Sequence, residues 1–445
     1  MRAAPLAVPG GAALLLWPAL VNGYPIVFTD TGGFLHQTLG PLMIWDKPWI
    51  YGPLLHLLHW RWTLWLPAVG QALLASHLVW LAARAWRGEV RPLPHLALCA
   101  GLAIATTLPW SVALLMPDIL TPAAVLALAL LGFAADRLGR IERAWLGPLA
   151  ALAIAAHLSH LPVAAALVAL TGLLTRAWRP VLRVAAPLAA ALLLLLATNA
   201  VGHGRVGLSP HGATFLLARL VADGPAARTI AAECPARGWY LCAWAGRLPD
   251  DADVFLWAPN SPVNRDAEGR PRMLGGALLS PEAREIVRET LRREPLAVAA
   301  AALRNTLRQL VTAGVGDTLH PRDLDVTVAR RLAEGFPAAE QQRFAAGLQV
   351  AGRLEAVGVA LRPLHAAVLA LGALGCLAAL WRAARARDAR RLGLMLCVLV
   401  GVTANAAATG ALSGPHDRYG ARIAWLLPLA AVLGWRVPGG SRRAA

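Results

Sequence analysis

The sequence predicts an all-α polytopic membrane protein of about ten transmembrane helices, with a mostly helical outer-face domain before the last three. Three observations predict it. Of the 445 residues, 57% are hydrophobic and only 15% charged, whereas soluble globular chains carry about 25% charged residues. Apolar runs approaching the roughly 20 residues needed to cross a bilayer recur through both ends of the chain. Arginines cluster in alternate connections between those runs, the pattern that keeps basic loops in the cytoplasm.

The runs lie near 4–22, 63–83, 93–109, 119–135, 145–158, 161–175, 183–202, 361–382, 391–411 and 421–436. Arg2 and Pro5–Ala19 have the outline of a signal peptide. No small-x-small cleavage site ends that run and Tyr24-Pro25 follows, so it is kept as the first span. Arg84, Arg87 and Arg91 follow the second run, and Arg137, Arg140 and Arg143 the fourth. Arg176, Arg179 and Arg183 follow the sixth, and Arg382, Arg385, Arg387, Arg390 and Arg391 the eighth; Arg442 and Arg443 end the chain. Every even-numbered run is thus followed by arginine, which puts both termini in the cytoplasm. The segment 145–175 is divided at His157-Leu158-Ser159-His160-Leu161-Pro162, because one unbroken helix there would send every later arginine outside. The chain then divides into an N-terminal transmembrane module (1–202, seven spans), an extracytoplasmic domain (203–360) and a C-terminal module (361–445, three spans). Arginine-rich composition with a single lysine, Lys47, is associated with high-GC bacterial genomes. The expected location is therefore the bacterial inner membrane. The formal charge of +17 comes from these short loop clusters, so nucleic acid is not an expected partner.

The first outer loop, roughly 23–62, holds Asp30, His36, Asp46, His56, His59 and Arg61. Its stretch Gly52–Trp65 mixes Leu, His and Trp, as suits a helix lying at headgroup level. In the outer domain, Ser280-Pro281-Glu282 reads as a helix start. Leu296–Val311 is an apolar, Ala-rich stretch suited to the membrane surface, and Asp317–Glu355 reads as amphipathic helix. Cys99, Cys376 and Cys397 fall in apolar runs and act as small apolar residues. Cys234 and Cys242, on an oxidising face, are expected to form a disulfide.

A carboxylate beside a span is costly and asks for a reason. Asp30, in Phe28-Thr29-Asp30-Thr31-Gly32-Gly33-Phe34, is read as a catalytic carboxylate, a helix N-cap, or both at once. Asp118, after Met116-Pro117, opens the fourth span and carries the same alternatives. His157 and His160, one turn apart, can hold a metal with a carboxylate, bind phosphate or sit at the interface. In His416-Asp417-Arg418-Tyr419, Arg418 suits two-pronged recognition of phosphate, or else pairs with Asp417 in an ordinary polar turn.

These residues resemble the C-type glycosyltransferase superfamily, integral membrane enzymes that use polyprenyl-phosphate-linked sugars. An acid follows the first span (Thr29-Asp30-Thr31-Gly32-Gly33) and a second lies in the next outer loop (Met116-Pro117-Asp118). A late Arg418-Tyr419 precedes Leu426-Leu427-Pro428, similar to the Arg-Tyr…Pro pattern of the aminoarabinose and protein-mannosyl transferase branches. The family often carries an acid pair in the first loop, where Asp30 here stands alone until Asp46. Several branches also place the outer domain at the C-terminus rather than before the eighth span.

The resemblance implies transfer of a sugar to an envelope lipid, glycan or protein on the outer face, with Asp30 as general base. It implies that Asp118 orients the acceptor or helps hold a divalent metal ion, the one cofactor considered. Arg418, Tyr419 and His416, with Asp417, His157, His160 and His36 nearby, are the substrate-binding candidates, and membrane lipid is the remaining partner. Three other readings compete, one of them a degenerate, non-catalytic member that acts as a scaffold for an envelope pathway. An O-antigen polymerase or ligase would lean on His203, Arg205, His211 and His320. A transporter or flippase predicts ionisable residues near the membrane midplane and inverted repeats, and the sequence offers almost none of the former and no convincing repeat.

Overall fold

The computed structural model describes residues 4–40 and 43–435; Arg2, Arg442, Arg443 and the final residue of the 421–436 run lie outside them. Those residues are mostly helical and almost without strand, the extended backbone being limited to connections and isolated bridges. Four helices are long and apolar enough to cross a membrane: Trp65–Arg87, Trp178–His203, Leu354–Arg385 and Ala389–Leu412. That is fewer than the ten expected. The other apolar runs are helical but short or interrupted. The first breaks at Leu16 into Ala4–Leu15 and Trp17–Asn22, and the last breaks at Trp425 into Asp417–Ala424 and Leu426–Gly434. The third stops at Thr106, whose hydroxyl bonds back to the Leu102 carbonyl, before a separate helix at Leu108–Ala113. The division at 157–162 is present: Arg140–Ala155 and His160–Thr175 are separate helices.

The helix Leu120–Phe133 is apolar all round and buried from Leu120 to Gly132, as such a helix must be. Trp65–Arg87, Arg140–Ala155, His160–Thr175, Trp178–His203 and Ala389–Leu412 pack around it. The outermost helices show the opposite pattern. Trp178–His203 buries one stripe, Val184, Pro187, Ala191, Leu195 and Asn199, and exposes Leu182, Leu193 and Val201. Leu354–Arg385 turns Gly358, His365, Gly372, Cys376 and Ala379 inward and leaves Leu371, Leu374 and Trp381 exposed. Gly372 lets this helix approach the backbone of Pro428, the close contact that small residues permit between membrane helices.

The two ends of the bundle differ in charge. At one end Arg84 pairs with Glu142 and Arg390 with Asp136, Arg391 reaches the Trp86 carbonyl and Arg87 that of Val432 at 2.8 Å. The arginine loops after the second, fourth and eighth runs therefore meet. At the other end lie residues 22–36, 113–118, 157–160, 312–320 and 413–422.

The residues of 203–360 divide between two cores. One gathers Leu217, Leu241, Phe255, Leu279 and Ile286; Val315, Leu319, Leu324, Val328, Leu332 and Phe344 join the core of the helical bundle. Cys234 and Cys242 form the expected disulfide, with Cα atoms 5.4 Å apart. The helix expected to begin at Ser280 begins at Gly275 and carries Pro281 inside it. Ser280 is fully buried, and Glu282 accepts hydrogen bonds from the backbone N–H groups of Tyr240 (2.7 Å) and Leu241 (3.1 Å). The acid thus pins a neighbouring turn rather than the start of its own helix. Two of the expected amphipathic stretches hold helices with exposed apolar flanks: Tyr51–His59 leads into exposed Trp60 and Trp62, and Pro295–Val311 exposes Leu296, Leu303 and Val311. The third, Asp317–Glu355, is broken by turns into short helices such as Arg330–Gly335 and Ala338–Ala345.

Candidate functional site

Asp30 is placed by an extended segment held on both sides. The N–H of Ile26 donates to the Ala113 carbonyl (3.0 Å), and the N–H of Leu115 donates to the Ile26 carbonyl (2.9 Å). On the other side the Gln349 amide bonds both backbone groups of Val27 (3.1 and 2.6 Å). The chain then turns into the helix Thr29–Leu39. Phe28 occupies its N-cap position, and the Thr31 hydroxyl, not Asp30, accepts the Phe28 N–H at 2.9 Å. Asp30 is left free of capping. Its Oδ1 lies 3.0 Å from Lys47 Nζ and its Oδ2 3.5 Å from Arg418 Nη1. Burial pushes the Asp30 carboxyl up, but the adjacent Lys47 and Arg418 charges outweigh it and hold the group below its ordinary value. Lys47 also pairs with Asp46 and lies 5.7 Å from the Trp257 ring, which ties the first loop to the outer domain.

Arg418 enters from the far end of the chain. Its backbone N–H donates to Asp317 Oδ2 (2.9 Å), its Nη2 to the Tyr419 hydroxyl (3.2 Å), and its guanidinium lies 4.8 Å from the Phe28 ring. Its Nη1 is buried without a hydrogen bond. Asp118, 3% exposed, does not cap the helix it precedes and its Oδ1 also lacks a hydrogen bond. That oxygen lies 3.6 Å from Nη1 of Arg422, itself 1% exposed and bonded through its other nitrogens to Asn405 Oδ1 (2.7 and 3.2 Å) and Ser159 Oγ (3.0 Å). Asp118, Asp317 and Arg418 line one small recess with Trp110, Ser111 and Thr318. Buried polar atoms are rarely left unbonded, so Asp118 Oδ1 and Arg418 Nη1 beside one recess are a reason to look there for a ligand.

The remaining candidates divide. Tyr419 is 6% exposed, and its hydroxyl lies against Arg418 and Ser413. Asp417 does not pair with Arg418; it accepts the Gly314 N–H at 2.8 Å and faces Arg362 at 3.4 Å. The side chain of His416 faces Asp253 of the outer domain (3.5 Å) while its backbone is held by Gln309. His157 bonds Ser159 at 2.8 Å, and burial followed by the Arg422 charge pushes its imidazole well below the ordinary value. A neutral His157 is a poor phosphate clamp. His160 is close to His157, but both its ring nitrogens are engaged, by Thr121 (2.6 Å) and by the Ala153 carbonyl (2.6 Å). Both nitrogens being engaged, it packs here as a buried histidine. His36, six residues beyond Asp30, faces a different side of its helix, toward Arg331 and Glu334. Among the described residues no three His, Cys, Asp or Glu side chains are grouped to hold a metal ion. The positive charge at the site comes from Lys47, Arg418 and Arg422. Of the competing set, His203 and His211 pack together beside Trp45, and His320 lies against Phe28.

Sequence reasoning missed Lys47, Asp317 and Arg422 as parts of this site. Lys47 carried a signal, as the lone lysine in a chain that otherwise uses arginine. So did Arg422, a charge inside the expected 421–436 span. Asp317 carried none. Compared with protein-family models, curated proteins and solved structures, the chain matches none.

Proposed function

We propose that this chain is a membrane glycosyltransferase that moves a sugar from a polyprenyl-phosphate carrier to an envelope lipid, glycan or protein. The observation that carries the reading is the meeting of Asp30 and Arg418, 388 positions apart, at 3.5 Å, with Asp118 and Asp317 on the same recess. Transfer from a lipid phosphate needs a carboxylate for the acceptor hydroxyl and fixed positive charge for the departing phosphate. Arg418 supplies that charge in a partly desolvated setting, with Lys47 behind it. The site lies at the end of the bundle opposite the meeting arginine loops after the second, fourth and eighth runs, and we take that end as the outer face of a bacterial inner membrane, both termini being cytoplasmic. In this reading the shorter apolar helices complete about ten crossings. Exposed Trp60 and Trp62 then sit at headgroup level, where a polyprenyl chain approaches.

The test is transfer of labelled sugar from polyprenyl-phosphate donors by purified protein in detergent or vesicles. At unchanged expression and folding, Arg418→Ala lowers transfer by about 10²–10³-fold, the scale of losing one charge-stabilising donor, and Asp30→Asn, which removes the carboxylate that holds Lys47 and Arg418, lowers it as well. Full activity in Asp30→Asn rejects the assignment. The polymerase or ligase reading instead predicts that Arg205→Ala is the damaging change.

A further inference from the structure

Three carboxylates surround Arg418, and their settings differ. Asp30 has one oxygen on Lys47 at 3.0 Å and the other on Arg418 at 3.5 Å. Asp118 is 3% exposed and is committed to balancing the buried Arg422 guanidinium at 3.6 Å. Asp317 is only partly buried and lies on the recess itself. One of its oxygens accepts the Arg418 amide N–H at 2.9 Å, and among the described residues no side-chain ion pair holds it. Building on the glycosyl-transfer reading, we infer that Asp317 is the group that takes the acceptor's proton, while Asp30 serves as a fixed counter-ion that positions Lys47 and Arg418. This reverses the role the family resemblance implies for Asp30.

The proton-transfer step balances. The acceptor oxygen bonds to the anomeric carbon as the bond from that carbon to the phosphate oxygen breaks, and the electron pair leaves with the polyprenyl phosphate. The acceptor proton passes to the Asp317 carboxylate, which later releases it to water. A base works best when its affinity for protons approaches the working pH, and a carboxylate gripped by two cations has given up that affinity. Asp317 differs. Burial pushes its carboxyl above the ordinary value, Asp417 adds to that, and the Arg418 amide bond, the Arg418 charge and His416 oppose it without cancelling it. Arg362, against Gly316, is a further charge close by, and Asp118 is the acid across the recess.

Two measurements test this. In the first, the rate of sugar transfer is followed against pH for wild type, Asp317→Asn, Asp317→Glu and Asp30→Asn. Asp317→Asn lowers kcat by about 10²–10⁴-fold, leaves donor KM unchanged, and its residual rate lacks the wild-type fall at acid pH; Asp317→Glu recovers part of the rate. Asp30→Asn loosens binding of polyprenyl phosphate and keeps the acid limb. In the second, infrared difference spectra of ¹³C-aspartate-labelled protein follow the carboxylic-acid band that Asp317→Asn removes. That band persists to higher pH than the band removed by Asp30→Asn. A near-wild-type rate or an intact acid limb in Asp317→Asn overturns the assignment, as does an Asp317 band titrating at or below that of Asp30. Absence of transfer by the wild type with every polyprenyl-phosphate donor sinks the glycosyl-transfer reading instead, and the infrared order then still decides whether Asp317 holds its proton more tightly than Asp30.

Discussion

Asp118→Asn separates what that carboxylate does for the fold from what it does for chemistry. The Arg422 guanidinium is 1% exposed, and Asp118, at 3.6 Å, is the one carboxylate paired with it among the described residues. At an effective dielectric constant near 20, two unit charges at that distance attract by roughly 4–5 kcal/mol. Removing one partner of a buried pair typically costs about 3–5 kcal/mol, because the other charge stays behind. Asn405 and Ser159 still satisfy hydrogen bonds of Arg422 but carry no charge to balance it. Asp118→Asn should therefore destabilise the protein by about 4 kcal/mol, nearly a thousandfold in the folding equilibrium. The assay is denaturant unfolding in detergent micelles followed by the fluorescence of the 17 tryptophans. In a double-mutant cycle with Arg422→Gln, the doubly changed protein should recover more than half the loss, since the stranded charge is gone. A cost below about 1 kcal/mol for Asp118→Asn, or simple additivity in the cycle, would mean that the Arg422 charge is balanced elsewhere, and the reasoning from burial would fail.

Two further perturbations address the surroundings. Replacing Cys234 and Cys242 by Ser opens a loop of sequence separation 8 and should cost about 2.5 kcal/mol by the chain-entropy relation; a reductant should lower the unfolding midpoint of the wild type and leave the double variant unmoved. Glu340, 1% exposed, accepts from the Tyr24 hydroxyl (2.7 Å), the Thr63 hydroxyl (3.1 Å) and the Leu64 N–H (2.7 Å). Glu340→Ala strands those donors and should cost about 3 kcal/mol or more, with Tyr24→Phe recovering part of it in the double variant, read from the same unfolding curves.

How legible the molecule was in its sequence depended on distance along the chain. The long helices Trp178–His203 and Ala389–Leu412 follow from unbroken apolar runs, and the separation of Arg140–Ala155 from His160–Thr175 followed from the side on which arginines had to fall. Helix starts read less well. Ser280-Pro281-Glu282 has every local mark of one, yet burial of Ser280 and the reach of Glu282 to Tyr240 outweighed that local preference. At the site, the shared end of Asp30, Asp118 and Arg418 was legible from alternation alone. Which cation meets which carboxylate was not. Lys47 and Arg422 acquire their roles from partners tens to hundreds of positions away, and His160 loses its expected role to a threonine and a carbonyl that no spacing rule brings to it.

The extended stretch from Tyr24 to Phe28 is stitched to residues made at very different moments of synthesis: Ala113 and Leu115 soon after it, Gln349 near the close. Arg418 arrives later still. A ribosome must therefore deliver almost the entire polypeptide before the loop bearing Asp30 has both its walls and its counter-charge. Until then that loop waits at the water boundary with its polar backbone unshielded. A chain cut just before the helix Asp417–Ala424 would keep most of its apolar bundle and yet lack Arg418, which makes completion of this one seam a natural point at which quality control could tell finished molecules from fragments.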